Sequence, residues 1–458
     1  MSENNNKGVS ILQGDPKKAI LKLAIPTIFA MLINSVYSLV DGFWVGGLGA
    51  SSIAAVGFIN PLFLIVVGFS NGLGAGATSV ISRYIGVKDK KQVDNAALHV
   101  LLLTIILSSI FTFILVLFLN EILGFMGLDS RLIDMSASYG QILFSGSVFI
   151  VFTSAAYGIL RAEGNVKKAT YAMLLAAVIN IILDPIFIYK LNMGVFGAGL
   201  ATILSLLMNS ILLIYWFIKG TYVNFSLKNF KYRWDMVKRI LSVGLPAGAE
   251  FLIISFLNFF LNSILLMCSD IDGVAIYTAG WRVVMLALVI PLAIGTSVVS
   301  VTGANYGAGK IENLKPILNY SIKLGLLIIT FVAIFIFIFA PQIGYIFAYL
   351  PGLANIRDLI TEFLRVTCLF YFFVPIGISA TSVFQGIGKG LRSLLLTTVR
   401  LFILEICSVY FLAILLGWGQ YGVWYGIVLG NALGATFSYL YTLHFINKAN
   451  KKGLKIDV

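Results

Sequence analysis

Charge is what this sequence lacks most. Asp, Glu, Lys and Arg make up 11% of its 458 residues, against roughly 25% in a soluble domain. Hydrophobic residues make up 59%, and mean hydropathy is +0.97. No ordinary aqueous surface can be assembled from the remainder, so the chain is an integral membrane protein. Cysteine is scarce too: Cys268, Cys368 and Cys407 all fall within or at the end of apolar segments, which excludes a disulfide framework. The two histidines, His99 and His444, are too far apart in sequence to form a metal-ligand pattern. No cofactor is expected.

What charge there is alternates. Lys and Arg crowd into every second inter-helix segment: Lys17, Lys18 and Lys22; Lys88, Lys90 and Lys91; Lys167 and Lys168; Lys219 to Arg239; Lys310 and Lys315; Lys389 and Arg392; Lys448 to Lys455. The segments between them hold only Arg131, Lys190 and Arg357. Cytoplasmic loops are the ones enriched in Lys and Arg, so both termini are expected in the cytoplasm of a multi-pass protein of the cell membrane. The net charge of +13 therefore reflects topology, and no nucleic-acid partner is expected. The polar first eighteen residues precede an apolar run too long for a signal peptide, so that run is expected to remain as the first span.

A hydrocarbon core of about 30 Å needs roughly 20 apolar residues as helix. Twelve segments qualify: 19–46, 51–82, 93–119, 132–160, 166–190, 195–219, 236–267, 271–303, 313–339, 355–388, 391–416 and 421–447. The two halves resemble each other. Leu23-Ala24-Ile25-Pro26 matches Val243-Gly244-Leu245-Pro246, and Gly194-Val195-Phe196-Gly197 echoes Gly419-Gln420-Tyr421-Gly422. Six spans per half is an even number, so the repeats share one orientation, related by an axis along the membrane normal. The expected domains are an N-lobe at 1–222, a cytoplasmic linker at 223–235 and a C-lobe at 236–458. The linker's basic and aromatic residues fit the lipid headgroup layer better than RNA.

Ionisable groups inside a membrane are functional candidates by default. Four acids lie well within apolar segments: Asp41, Asp184, Glu250 and Glu405. Counting at 1.5 Å per residue puts Asp41 and Asp184 at similar depth in the outer leaflet. Tyr139 and Thr202 lie at the same level, and Asn180 shares a helix face with Asp184, four residues away. Such an oxygen-rich set suits a hard cation such as Na⁺, and a close carboxylate pair suits protonation. Glu250 serves either substrate attraction or a structural pair. Glu405 is expected to be structural, paired with Arg282 or Arg365, because five residues is poor α-helical spacing for a pair with Arg400. Gly72-Leu73-Gly74-Ala75-Gly76 has no preceding strand, so it reads as close helix packing rather than a phosphate loop. Pro26 and Pro246, at matched places in the two halves, predict helix bends. Met31 and Met173 are candidates for an adaptable cavity.

Ala24-Ile25-Pro26, Val40-Asp41-Gly42-Phe43-Trp44-Val45 and Leu48-Gly49 closely resemble the first helix of multidrug and toxic compound extrusion (MATE) transporters. Asn180-Ile181-Ile182-Leu183-Asp184-Pro185 resembles their fifth helix, and Gly197-Ala198-Gly199-Leu200-Ala201-Thr202 their sixth. The likeness covers nearly the whole chain and is nearest the prokaryotic DinF-type branch. It implies an all-α membrane fold of twelve transmembrane helices in two pseudo-symmetric six-helix bundles flanking a cleft. It implies export of amphipathic, often cationic molecules (drugs and dyes among them) coupled to inward H⁺ or Na⁺. The matching Asp41, Tyr139, Asn180, Asp184 and Thr202 would form the coupling network, with any Na⁺ held by Asp41, Asn180, Asp184 and Thr202. The substrate cavity would draw on Met31, Asn34, Tyr37, Met173 and Glu250, with membrane lipid around a monomer. A lipid-linked oligosaccharide flippase is the alternative, but it would need more cavity cations than Arg282, Lys323, Arg365 and Arg400. A channel ranks lower, because duplicated halves around paired acids argue for coupling. An enzyme ranks last, because no nucleophile–base pair or metal cluster is present.

Overall fold

In hydrocarbon every backbone N–H and C=O must be satisfied within its own segment, and this chain does so with helix. The computed structural model describes residues 7–226, 230–347 and 354–452. Lys228, Lys455 and the extreme ends lie outside the described residues. A short α1 (Lys7–Gln13) leads into α2 (Pro16–Gly46), α3 (Ala50–Val87), α4 (Lys90–Leu117) and a brief α5 (Leu119–Phe125). Then follow α6 (Ser130–Ser145), α7 (Ser147–Ala162), α8 (Val166–Pro185) with a π segment at Ile186–Lys190, and α9 (Gly194–Gly220). The second half comprises α10 (Trp234–Gly307), α11 (Leu314–Phe347), α12 (Ala354–Tyr371), α13 (Val374–Gly386), α14 (Gly390–Thr397), α15 (Glu405–Tyr410) and α16 (Gly419–Lys452). Two π segments, Thr398–Leu404 and Phe411–Leu415, flank α15.

Among the described residues, nine stretches cross a membrane alone by length and hydropathy, and two bent pairs cross together. α16, 34 residues long, falls short of that hydropathy because Gly, Asn, Ser, Thr and Tyr dilute its apolar run, yet it has the length to be the twelfth. The all-helical bundle expected from the sequence is thus present, with three local differences. The spans expected at 132–160 and 355–388 are each broken, by 46° between α6 and α7 and by 44° between α12 and α13. Gly146 marks the first break, where a Cβ would run into the Ile203 side chain of α9. Pro375 begins α13 at the second, where it lacks an N–H and crowds the preceding turn. The loop expected between 267 and 271 is instead helical. The arms Trp234–Ser269 and Asp272–Gly307 of α10 fold back on each other, and the Tyr277 hydroxyl donates to Asn258 Oδ1 at 3.2 Å.

α11 shows how such a helix sorts its faces. Gly325, Ile329, Ala333, Ile336 and Ala340 recur at three- and four-residue spacing and are buried. Phe331, Ile334, Phe335 and Ile338 occupy the opposite, exposed face. Apolar residues on both sides mark a helix with lipid on one face and protein on the other.

Both described chain ends, the α3–α4 turn and residues 221–226 and 230–233 gather at one end of the bundle, hereafter the basic end. Here the two halves meet through α3 and α10, and glycine sets the distance. A Cβ at Gly72 would stand 2.7 Å from the Gly248 nitrogen, and one at Gly86 would stand 2.8 Å from the Ala308 nitrogen. Small residues let backbones approach this closely. Ser79 Oγ adds a hydrogen bond across the contact to the Gln385 carbonyl, 2.5 Å away.

The connection between the halves is tied to the first half residue by residue. Tyr222 and Val223 donate their backbone N–H groups to Glu163 at 3.2 and 2.9 Å, and the Asn224 N–H goes to Asp94 at 2.7 Å. Asn95 exchanges two bonds with the Lys231 backbone. His99 Nε2 accepts from the Arg233 N–H at 2.9 Å while its Nδ1 meets the Asn95 carbonyl at 2.8 Å. Because Nε2 accepts, the proton belongs on Nδ1, and His99 serves as a buried staple. Glu163, just past the end of α7, is 1% exposed, and burial pushes its carboxyl up to about 7 against the pull of the two N–H groups, Lys168 and Lys90. A hydrogen bond to a charged acceptor is worth about 1.5–3 kcal/mol. Glu163→Ala should therefore speed amide exchange at Tyr222 and Val223 by roughly tenfold or more, while Glu163→Gln, which keeps an acceptor, changes it less. Unchanged exchange in the alanine variant would remove Glu163 as the anchor.

Candidate functional site

The expected coupling residues reach one place from four helices. Tyr37 and Asp41 lie one turn apart on α2, and Asn180 and Asp184 one turn apart on α8, so each pair shares a face. Tyr139 comes from α6 and Thr202 from α9. The carboxyls of Asp41 and Asp184 lie within hydrogen-bonding reach of each other. Asn180, turned so that its amide satisfies both neighbours, donates to Asp184 Oδ2 at 2.8 Å and accepts from the Thr202 N–H at 3.2 Å. Tyr37 bonds to the Thr202 side chain, and Tyr139 lies near enough for the charge of both acids to act on it. Asp184 and Asn180 are 0% and 1% exposed, and Asp41 is half-buried. Water can thus approach the pair only from the Asp41 side.

The electrostatics of this arrangement are decisive. Two carboxylates in contact inside a low-dielectric bundle repel strongly unless a positive charge lies between them. Among the described residues no Lys or Arg supplies it, since the pair's partners are an amide, hydroxyls and phenols. Asp184 Oδ1 is buried and has no protein donor. A proton shared by the pair answers this need. So does a small hard cation, because carboxylate, amide carbonyl and hydroxyl oxygens are its preferred donors.

The expected cavity residues are more dispersed. Asn34 and Met31 lie on α2 at about 10 and 15 Å from Asp41 along the axis, towards the basic end. Asn34 is exposed, and Met31 and Met173 are half-buried. Tyr37 belongs to the acid cluster, where its four-residue spacing from Asp41 was the available signal. Glu250 stands in the other half, accepting from Ser393 Oγ at 2.8 Å and Gln385 Nε2 at 3.3 Å. Gln385 is also the residue whose carbonyl bonds Ser79 across the lobe contact. Pro26 lies inside α2, and its carbonyl accepts from Thr170 Oγ1 of α8 at 3.0 Å. Pro246 lies inside the first arm of α10.

One expectation is corrected. Arg400, expected to be too far from Glu405 for a same-helix pair, makes no ion pair within 4 Å among the described residues, but it is buried near enough to Glu405 and Glu250 for its charge to act on both. The five-residue step falls across the π segment Thr398–Leu404. A π-helix bonds i to i+5, which brings that spacing onto one face. The expected partners Arg282 and Arg365 are exposed, whereas Arg400 is 6% and Glu405 1% exposed. Asn431 of α16 donates to Glu405 at 2.6 Å. The wide turns fit because α16 presents glycine to them: Gly434 abuts Arg400, Gly430 abuts Glu405, and Gly426 abuts Val409. Removing the cation that acts on both buried carboxyls leaves their charge uncompensated in the bundle. Arg400→Met should accordingly lower the thermal midpoint of the detergent-purified protein well below that of Arg282→Gln, by differential scanning fluorimetry. Equal midpoints would contradict that role.

The MatE family profile matches residues 26–186 and 246–411. The multidrug export protein MepA of Staphylococcus aureus is 25% identical over 380 residues, covering 81% of this chain and 82% of that one. A probable multidrug resistance protein NorM of Thermotoga maritima is 25% identical over 438 residues, covering 93% and 92%. A solved structure described as the outward-facing conformation of a multidrug resistance MATE family transporter of the MOP superfamily superposes with a TM-score of 0.95. It is 39% identical and covers 98% of this chain and 100% of that one.

Proposed function

Because the chain belongs to the MatE family of multi-pass membrane transporters, we propose that it exports amphipathic, often cationic small molecules in exchange for inward H⁺ or Na⁺. The single observation that carries the coupling is the contact of Asp41 with Asp184. A pair that needs one positive charge binds a proton or Na⁺ when open to the outside and yields it when substrate or a changed helix geometry competes. The basic end faces the cytoplasm, as the distribution of Lys and Arg requires. Closure of α3 on α10 at that end then leaves the acid pair on the outer side of the closed contact.

Residues 1–222 and 236–458 act as the two lobes that rock about the cleft, joined by 223–235. Pro26 gives α2 a point at which to bend, the Thr170 bond to its carbonyl holding one curvature. Pro26→Ala should leave the protein folded but slow turnover, and unchanged turnover would make that proline purely architectural. Pro246 has the matching place in the other lobe. Met31, Asn34, Tyr37 and Met173 lie on the path between the cleft and the pair. Glu250, held by Ser393 and Gln385, serves the closed contact more directly than the ion.

Energetics limit the exchange. One elementary charge is worth about 2.3 kcal/mol per 100 mV, and a tenfold gradient about 1.4 kcal/mol. With one cation in for each monovalent cation out, the voltage terms cancel and the ion gradient alone drives export. Proteoliposomes with an imposed pH or Na⁺ gradient should transport cationic dyes, whichever gradient is used identifying the ion. Asp41→Asn and Asp184→Asn remove the titratable charge at nearly constant size, and each should abolish gradient-driven transport while leaving expression normal. Full transport by the double variant would refute the site.

A further inference from the structure

An exposed arginine within a membrane span has to be explained by what it faces, and Arg282 is such a residue. It lies in the second arm of α10, the span with the largest buried share in the bundle, yet its own side chain is exposed. Among the described residues no carboxylate lies within ion-pair distance of it. The direction it faces follows from helical phase. Gly303 and Gly307 on this arm pack against Ser82 and Arg83 of α3, in the other lobe. Gly307 lies about seven turns of 3.6 residues beyond Arg282, so the two share a face. Thr278 and Met285 share it too, and both are exposed. The face that touches the other lobe at the basic end therefore looks across open space at that lobe higher up.

The depth of Arg282 is fixed by the hairpin. The Tyr277–Asn258 bond sets the antiparallel register of the two arms, and equal steps along them put Arg282 level with Ile253. That is about half a turn beyond Phe251, which packs on Gly68 of α3. Arg282 thus stands just above the closed contact, at the floor of the cleft. By the same phase, Leu64 and Ile65, about one turn from Gly68 on α3, and Phe259, about 9 Å beyond the level of Ile253 on the first arm, face the cleft above it, all exposed. The floor thus carries a guanidinium with no ion-pair partner among the described residues, below apolar and aromatic side chains.

We infer that Arg282 is a substrate-specificity residue that receives an oxyanion, such as a carboxylate, carried on a flat apolar molecule. The inference rests on the transport function proposed above and narrows its substrates to include zwitterions, with the cation attracted by the first-lobe acids and the anion held by Arg282. Guanidinium suits the role because its planar fork matches a carboxylate with two parallel bonds. In a partly dehydrated cleft such a bond discriminates by about tenfold or more.

The test uses purified full-length protein and two probes: a xanthylium dye with a free carboxylate, and the same dye as its methyl ester. Binding is read by fluorescence anisotropy. Arg282→Gln should weaken the carboxylate dye about tenfold while leaving the ester dye unchanged, which also serves as the control for folding. Arg282→Lys should recover part of the loss. Equal loss for both dyes, no loss for either, or no binding of either by the unaltered protein would overturn the inference. Phosphatidylglycerol added to the micelles separates two sources of an oxyanion. Its displacement of the carboxylate dye from the unaltered protein alone would assign Arg282 to lipid and overturn the inference, and no displacement would support it. Selective binding without gradient-driven transport would sink the exchange function and leave the Arg282 assignment standing.

Discussion

The cost of charge in hydrocarbon governs this molecule. A carboxylate or guanidinium removed from water loses far more hydration than one partner returns, so a twelve-span chain keeps such groups few and surrounds each with polar neighbours. The C-lobe meets this cost internally. The Arg400 charge acts on both Glu250 and Glu405, while Asn431 donates to Glu405 and Ser393 and Gln385 donate to Glu250. The N-lobe leaves it unmet, since Asp41 and Asp184 touch with no protein cation beside them. Apart from Arg282 at the cleft, the C-lobe is electrostatically closed, and the N-lobe pair needs a charge from outside.

That asymmetry links fold to transport. The closed lobe offers a rigid body, its π turns seated against the glycines of α16. In the exchange proposed above, the open lobe changes its charge with its occupant. Between them the contact of α3 with α10 is made at backbone distance through Gly72, Gly76 and Gly86. A glycine seam of this kind fits one geometry closely and tolerates little intermediate deformation, which suits a two-position mechanism. The Ser79–Gln385 bond ties the seam to the residue that also holds Glu250.

Much of this was legible in the sequence, for physical reasons that differ by feature. The spans follow from apolar run length, which the bilayer sets, and the alternation of Lys and Arg agrees with their number. The grouping of Asp41 with Asp184 was accessible because α-helical rise converts residue counts into depth, and because Asn180 lies one turn from Asp184. The nearness of Arg400 to Glu405 was hidden because the count assumed 3.6 residues per turn, while the wide turns there depend on glycines of α16 some thirty residues further along. The breaks at Gly146 and Pro375 were hidden because unbroken hydropathy masks a change of direction. Arg282 could be named from the sequence as an intramembrane cation, but the face it occupies needed the contacts of Gly303 and Gly307.

The central claim is that the Asp41–Asp184 pair holds an exchangeable positive charge. Isothermal titration of a cationic dye into the purified protein, repeated in buffers of different ionisation enthalpy and with and without Na⁺, counts the ions released on binding. The account predicts release of about one H⁺ or Na⁺ per dye bound, lost in the Asp41→Asn, Asp184→Asn double variant. The same release from the double variant would contradict it.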